Sequence, residues 1–477
     1  MQSSSNPIGF QVDPKGVPID HAVPVFPVNA PIAHTSERGI SRKLIEEISW
    51  HKNEPDWMRE KRLRSFDVFS KLSMPTWGPN LSRLDFAKLA MYVKPGGKKT
   101  SEWSEVPQEI KDTFDKLGIP QAEKKYLAGM VTQFESEGMY HKLKERYEKQ
   151  GILFCDTDTA VQKYPDLIKE YFMTRCVPIA DHKFAALHGA VWSGGSFVYV
   201  PKGVKMDLPL QTYFWMNAKN SGQFEHTLII VEEGAEVHYI EGCTAPQYSS
   251  QSIHSAVVEI FAKKGSKVRY TTVQNWSKDV YNLNTKRSIV EEEAHMEWVG
   301  GSMGSGVTML YPASFLIGKG ARADHLNIAF AGPGQRKDTG AKVVHGAPYT
   351  TSTVLSKSIS RGGGWSNYRG LLKIVKGAHG SKANVRCDAL LLDEFSRADT
   401  QPHIEVFEDD VSIGHEATAG RISDDQVFYL RSRGMTEQEA MAMIVSGFVE
   451  PVVRELPMEY AVELNRLILL EMEGSVG

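Results

Sequence analysis

Three residues late in the chain have side chains that suit metal chemistry if folding gathers them: Cys387, His415 and Glu416. A thiolate, an imidazole and a carboxylate form a donor set that iron and zinc accept. His415 follows Cys387 by 28 residues and Glu416 follows it by 29. In NVRCDALLLD, strand alternation puts Val385, Cys387, Ala389 and Leu391 on one face, with Arg386 and Asp388 on the other. In VSIGHEATAG, Val411 and Ile413 lead to His415 on the apolar face, and alternation sends Glu416 away from it unless the chain bends. A metal site here therefore competes with a core histidine beside a surface glutamate.

A second candidate is Cys243, in IEGCTAP, with Gln274, in VQNW. A thiol beneath an amide in a partly polar interior could shelter a sulfur-bearing species. A packed cysteine with Gln274 outside is the simpler expectation. The remaining cysteines, Cys155 and Cys176, are far from these and form no CxxC pair, which argues against a zinc knuckle or a disulfide framework. The chain lacks GxxxxGK[ST], GxSxG, HExxH and the kinase signatures; its GPGQ and GGG stretches are turn glycines.

Composition excludes further classes. With 55 Lys+Arg against 58 Asp+Glu in 477 residues, the net charge of −3 gives no electrostatic case for nucleic acid or an acidic membrane surface. No apolar run reaches the roughly 18 residues of a membrane helix, and the N-terminus has no charged-then-apolar leader pattern, so a cytoplasmic protein is expected.

The elements that must position these residues are short strands. From about residue 181, β-branched and aromatic runs alternate with a turn of the form "apolar, two polar, Gly, small". Its copies fall at Gly203, Gly234, Gly265, Glu293, Gly320, Gly346, Gly377 and Asp410, in steps of 31, 31, 28, 27, 26, 31 and 33 residues. Such a period predicts a solenoid of stacked strand repeats. Cys243 and Gln274 each lie nine residues after their turn and so share a column. Cys387 and His415 lie ten and five residues after theirs, so their registers disagree. The flanks are expected to be helical: from Ser41 with Leu44, Ile45 and Ile48 on one face, again from about Val106 to Phe172, and after Tyr429. There Thr436 and Glu439 form a capping box ahead of Met443, Ile444 and Phe448, Pro451 interrupts, and a last helix carries Leu464 and Leu467. The expected division is an N-terminal arm and helical region over 1–180, a β-helix over 181–430 and a C-terminal helical domain over 431–477.

The ordered set KFAALHGAVWSGGSFVYVPKGV, IEGCTAP, VQNW, NTKR, HEAT and YLRSRGM resembles the SufB members of the SufB/SufD family of the SUF iron–sulfur cluster assembly system, over nearly the whole chain from Ile40. The resemblance implies a mainly β fold, a right-handed parallel β-helix between helical regions, and a scaffold rather than an enzyme. It implies that Cys243 accepts sulfur, and that Gln274, Trp276 and Lys286 lie on a sulfur path through the β-helix. Cys387 and Glu416, with His415 adjacent, would build a nascent, transient cluster, with reduced flavin a candidate electron source. Its partners would be the ABC-type ATPase SufC on the C-terminal helices, SufD or a second SufB along the β-helix, and SufS with SufE or SufU as the sulfur source. Trp215 stands where members often have Arg, while Asn217 is retained, and the N-terminal CxxC cluster of many members is missing. The paralogue SufD, a partner without its own cluster site, is the nearest alternative; a β-helix enzyme acting on polysaccharide is a more distant one.

Overall fold

The computed structural model describes residues 32–97, 99–101, 127–245, 251–456, 461, 464, 465, 467 and 468. The N-terminal arm, the stretch 106–126 of the expected second helical block and most of the last expected helix lie outside them.

The chain forms a parallel β-solenoid of about eight turns with helices at both ends. Glu236 pairs with Lys267, Lys267 with His295, His295 with Arg322, Arg322 with Thr351 and Thr351 with Lys382, in steps of 31, 28, 27, 29 and 31 residues. Among the described residues, one sheet has ten strands, from Val411–Arg421 at one edge to the antiparallel hairpin Gly129–Phe134 and Glu137–Leu143 at the other. The facing sheet has thirteen. Between them lies a continuous core that includes Val237, Tyr239, Val268, Tyr270, Met296, Trp298, Val354, Val385 and Cys387. No single repeat can bury its own inner face, so stacking supplies the core.

The corner turns explain the period. At Gly203, Gly234, Gly265, Glu293 and Gly320 the backbone has positive φ, and each N–H donates to a carbonyl of the next turn, as in Gly234 to Lys264 (2.9 Å) and Glu293 to Lys319 (2.9 Å). The series then continues at Tyr349, whose N–H bonds His379, and at Gly380, whose N–H bonds Asp410, rather than at the expected Gly346 and Gly377. The three-residue offset accounts for three of the five residues by which the expected registers of Cys387 and His415 differ, and a mismatch of two residues remains. Counted from Gly380 and Asp410, Cys387 is paired with Ala417 and Val385 with His415.

The helix Arg42–His51 starts at Ser41, whose Oγ accepts from Leu44 N at 3.2 Å, and it buries Leu44, Ile45 and Ile48. Within the expected second helical block the structure instead contains the hairpin at 129–143. Local propensity there yields to tertiary pairing, because Gly129–Phe134 adds in parallel to Leu210–Trp215 and buries every residue. Helices return at Thr157–Lys163 and Pro165–Tyr171. At the C-terminus, Glu437–Val453 carries the expected capping box. Pro451 does not interrupt it: the helix runs on to Val453 and forgoes the one hydrogen bond that the Pro451 nitrogen cannot donate. The buried face is Val445, Val449 and Val452, packed on outward residues of the ten-stranded sheet such as Val273, Val299 and Ile328, while Met443 is exposed.

Candidate functional site

The strand Glu236–Thr244 turns Val237, Tyr239, Glu241 and Cys243 inward, because Tyr239 and Val237 belong to the solenoid core and Ile240 packs outward under the C-terminal helix. Cys243 is 2% exposed and is paired with Gln274, so the shared column expected from the sequence is present and Gln274 is inside rather than outside. Trp276 is buried and packs at a tilt against His254, with ring centroids 4.2 Å apart. Lys286, 1% exposed, donates to Glu241 Oε1 at 2.9 Å and to the Tyr270 hydroxyl at 3.0 Å. The Cys243 thiol lies 3.7 Å from the same Glu241 oxygen. Four sequence-derived residues therefore meet in one buried polar chamber.

Electrostatics divide the roles. Burial alone would raise the Glu241 carboxyl, but Lys286 and hydrogen bonds from Tyr270 and Lys286 outweigh it and hold the group below its ordinary value. Burial, then the charges of Glu241 and Glu225, push the Cys243 thiol well above its ordinary value. The sulfur is thus kept protonated beside a fixed ion pair. Glu225, Glu241 and His254 were not found from the sequence. Glu225 and His254 sit on the facing sheet's side, where the only available signal was polar residues interrupting apolar strands.

Two inward columns lead away from this chamber. One runs Cys243, Gln274, Ser302, Ala329, Ser358, Ala389, and its neighbour runs Glu241, Thr272, Gly300, Asn327, Ser356, Cys387. All are small or polar. Gln274 Nε2, Ser302 Oγ and Asn327 Nδ2 are buried without hydrogen-bond partners. Cys387 stands five turns from Glu241, a span of about 24 Å at ~4.8 Å per turn.

At that far end, Cys387 is 4% exposed and faces the core with Val385. Burial pushes its thiol up to about 12, with a hydrogen bond from Tyr368 opposing and the Asp388 charge adding to the rise. His415 lies on the same inward face, two residues out of register with Cys387, and helps line a cleft with Val354, Tyr368, Val385 and His403. Glu416 is paired with Arg386 on the opposite face, where the Arg386 Nε to Glu416 Oε2 distance is 3.9 Å. The fold brings His415 near Cys387 but does not bring Glu416 to it. The strands Arg397–Val406 and Val411–Arg421 each have a paired neighbour on one side only, and Phe395, Ile404, Val406 and Phe407 nearby are exposed.

Residues 214–448 match the family profile described as "SUF system FeS cluster assembly, SufBD core domain", and residues 45–212 match the SufBD protein N-terminal region. The chain belongs to the SufB/SufD family. Relatives include iron–sulfur cluster assembly SufBD family proteins of Staphylococcus aureus strains MRSA252 and USA300 and of Staphylococcus epidermidis. Each is 56% identical over 442 residues, covering 93% of this chain and 95% of the relative. In SufB/SufD terms, the match spans the solenoid with both columns and the helices that flank it. The function common to the family is iron–sulfur cluster assembly in the SUF system. Among the described residues, no helix is long and apolar enough to cross a membrane.

Proposed function

We propose that this chain is a SufB-type scaffold that accepts persulfide sulfur at Cys243 and builds a nascent iron–sulfur cluster near Cys387. The observation that carries this reading is the pair of inward columns joining the two cysteines, lined by small residues and unpaired polar atoms. Sulfur arrives from a carrier persulfide. Cys243 Sγ bonds the terminal sulfur, the carrier thiolate leaves, and the Cys243 proton passes to it, so a thiol and a persulfide exchange partners. Two electrons from a separate donor then release the sulfur as sulfide. Gln274, Ser302 and Asn327 offer N–H and O–H donors that would stabilise an anionic sulfur species along the interior.

Cluster building would use Cys387 as the soft ligand and Glu416 as a hard, easily displaced one. Because Glu416 faces away from Cys387 in the single chain, joint ligation requires the terminal strand Val411–Arg421 to shift. Its unpaired edge is the place where a SufD or second SufB subunit would add and supply that shift. SufC is expected on the C-terminal helices, where Phe428, Tyr429 and Met443 are exposed. A SufD-like role as partner without a cluster is favoured by one observation, the separation of Cys387 and Glu416.

Anaerobic reconstitution with iron and sulfide, read by absorbance and Mössbauer spectroscopy, decides between them. Cluster formation that is lost in Cys387→Ser and in Glu416→Ala supports the scaffold. An unchanged cluster in both variants, or none in the unmodified protein with its ATPase and sulfur donor, refutes it. Truncation after Tyr429 is expected to abolish co-purification with the ATPase.

A further inference from the structure

On the wall facing Cys243, a chain of hydrogen bonds fixes one histidine tautomer. The backbone N–H of Ala256 donates to Asn284 Oδ1 at 2.9 Å, so the other end of that amide, Nδ2, is the donor to Asn282 Oδ1 at 2.9 Å. Asn282 therefore presents its oxygen to His254 Nδ1 at 2.8 Å, and its own Nδ2 donates to Gln274 Oε1 at 2.7 Å. With Asn282 Oδ1 fixed as an acceptor, His254 must carry its proton on Nδ1 and donate it there. The lone pair of Nε2 then points at the Glu225 carboxylate, itself an acceptor, which it meets in a short contact. Two acceptors in contact require a cation between them, either a shared proton or a metal ion.

The surroundings distinguish this from an ordinary buried ion pair. His254, Glu225 and Cys243 are each no more than 2% exposed. Their Nε2, carboxylate oxygen and Sγ all lie within 4.8 Å of one another. The second oxygen of Glu225 is buried with no partner. A histidine whose remote ring nitrogen donates to an amide oxygen is the arrangement that orients metal-binding imidazoles. Among the described residues, Glu225 is the one hydrogen-bonding partner of Nε2.

We propose that Glu225, Cys243 and His254 form an internal three-ligand site for a divalent transition metal of the Fe²⁺, Co²⁺ and Zn²⁺ class. Binding displaces two protons, one from Cys243 Sγ and the one shared by His254 Nε2 and Glu225, and both leave to solvent. The ion then carries one thiolate, one carboxylate and one neutral imidazole, so the complex is electrically neutral, which suits a buried chamber and selects a divalent over a monovalent ion. Three protein ligands leave a fourth position open. The site shares Cys243 with the sulfur-accepting role proposed above but rests on hydrogen-bond geometry alone, and its test involves no sulfur, iron or cluster.

The test is titration of the full-length protein with Co²⁺ alone, without oxygen. The expected result is a near-ultraviolet thiolate-to-cobalt band with intense visible bands of four-coordinate geometry, removed by Zn²⁺ competition. The near-ultraviolet band should vanish in Cys243→Ser and persist in Cys387→Ser. Affinity should fall at least about tenfold in Glu225→Gln and His254→Gln, and about 10–100-fold in Asn282→Leu, which removes only the orienting acceptor. With two protons released, affinity should rise about 100-fold per pH unit while both are still bound in the free protein. A band that survives Cys243→Ser, one that is lost in Cys387→Ser, or unchanged affinity in Glu225→Gln overturns the site. Circular dichroism and a cooperative melt verify folding. If His254→Gln fails them, Glu225→Gln, which keeps the side-chain shape, decides.

Discussion

Replacing Lys286 with Met tests whether the chamber is held by its ion pair. Lys286 and Glu241 are 1% and 2% exposed and 2.9 Å apart, with Tyr270 and Thr272 also bonded to the pair. Removing one partner of such a buried pair costs about 3–5 kcal/mol, because the other charge is left uncompensated. The damage should be local, since each solenoid turn contacts only its neighbours. Amide hydrogen exchange in Glu236–Thr244 and Lys267–Trp276 should therefore accelerate by roughly two to four decades at neutral pH. The pH dependence follows from Glu241. In the native protein its value is depressed, so it contributes stability that is present above about 4.5 and lost as pH falls through its lower folded value. In Lys286→Met the Lys286 charge and its hydrogen bond are gone and burial is opposed mainly by the Tyr270 hydroxyl, so the value of Glu241 rises and it takes up a proton on folding. The deficit should thus be largest at pH 7 to 8 and shrink toward pH 4.5. Lys286→Met with Glu241→Leu should recover most of the loss, as apolar pairs of similar volume replace buried ion pairs at little cost. A deficit independent of pH, or a double variant no better than the single, would refute the reasoning.

Glu259 provides a test of opposite sign. Burial, opposed by N–H donors of Met173 and Val177, raises it to about 7, so the folded state binds an extra proton between about 4.5 and 7 and stability declines as pH rises through that window. The term is on the order of 3 kcal/mol and should disappear in Glu259→Gln; parallel denaturation profiles of variant and native protein between pH 5 and 8 would contradict this. All four cysteines are buried, with burial raising each thiol, so iodoacetamide at pH 8 should label the native chain far more slowly than the unfolded one, with mass spectrometry showing no rapidly modified site. Gly304→Ala places a Cβ 1.6 Å from the Trp276 carbonyl oxygen at φ 65°, which should cost more than about 2 kcal/mol in thermal unfolding. Gly420→Ala, with nothing within 4 Å, should stay within about 0.5 kcal/mol. Thr436→Ala breaks the capping box and should destabilise the C-terminal helix by about 1 kcal/mol, seen as faster exchange over Glu437–Val453.

Legibility in the sequence depended on which neighbour was sought. The Gly203, Gly234 and Gly265 turns were readable because glycine marks the left-handed corner, and from them the Cys243–Gln274 column followed directly. Where Tyr349 takes that conformation in place of glycine, the marker fails and the corner lies three residues beyond the expected glycine, so the mismatch of Cys387 and His415 is legible in the sequence but is two residues rather than five. The hairpin at 129–143 was hidden for another reason: its strand character comes from pairing with Leu210–Trp215, 81 residues later.

By itself the sequence determined the solenoid, its period, the shared phase of Cys243 and Gln274, the inward phase of Cys387, and the opposite facing of His415 and Glu416. Those relations lie along one sheet, where neighbours are set by a repeat length and a two-residue alternation. The tertiary structure alone decided what meets across the lumen, namely Lys286 with Glu241, and Glu225 and His254 with Cys243. Cross-lumen neighbours depend on where the chain turns its corners. Corner lengths are not periodic, so no spacing in the sequence encodes them.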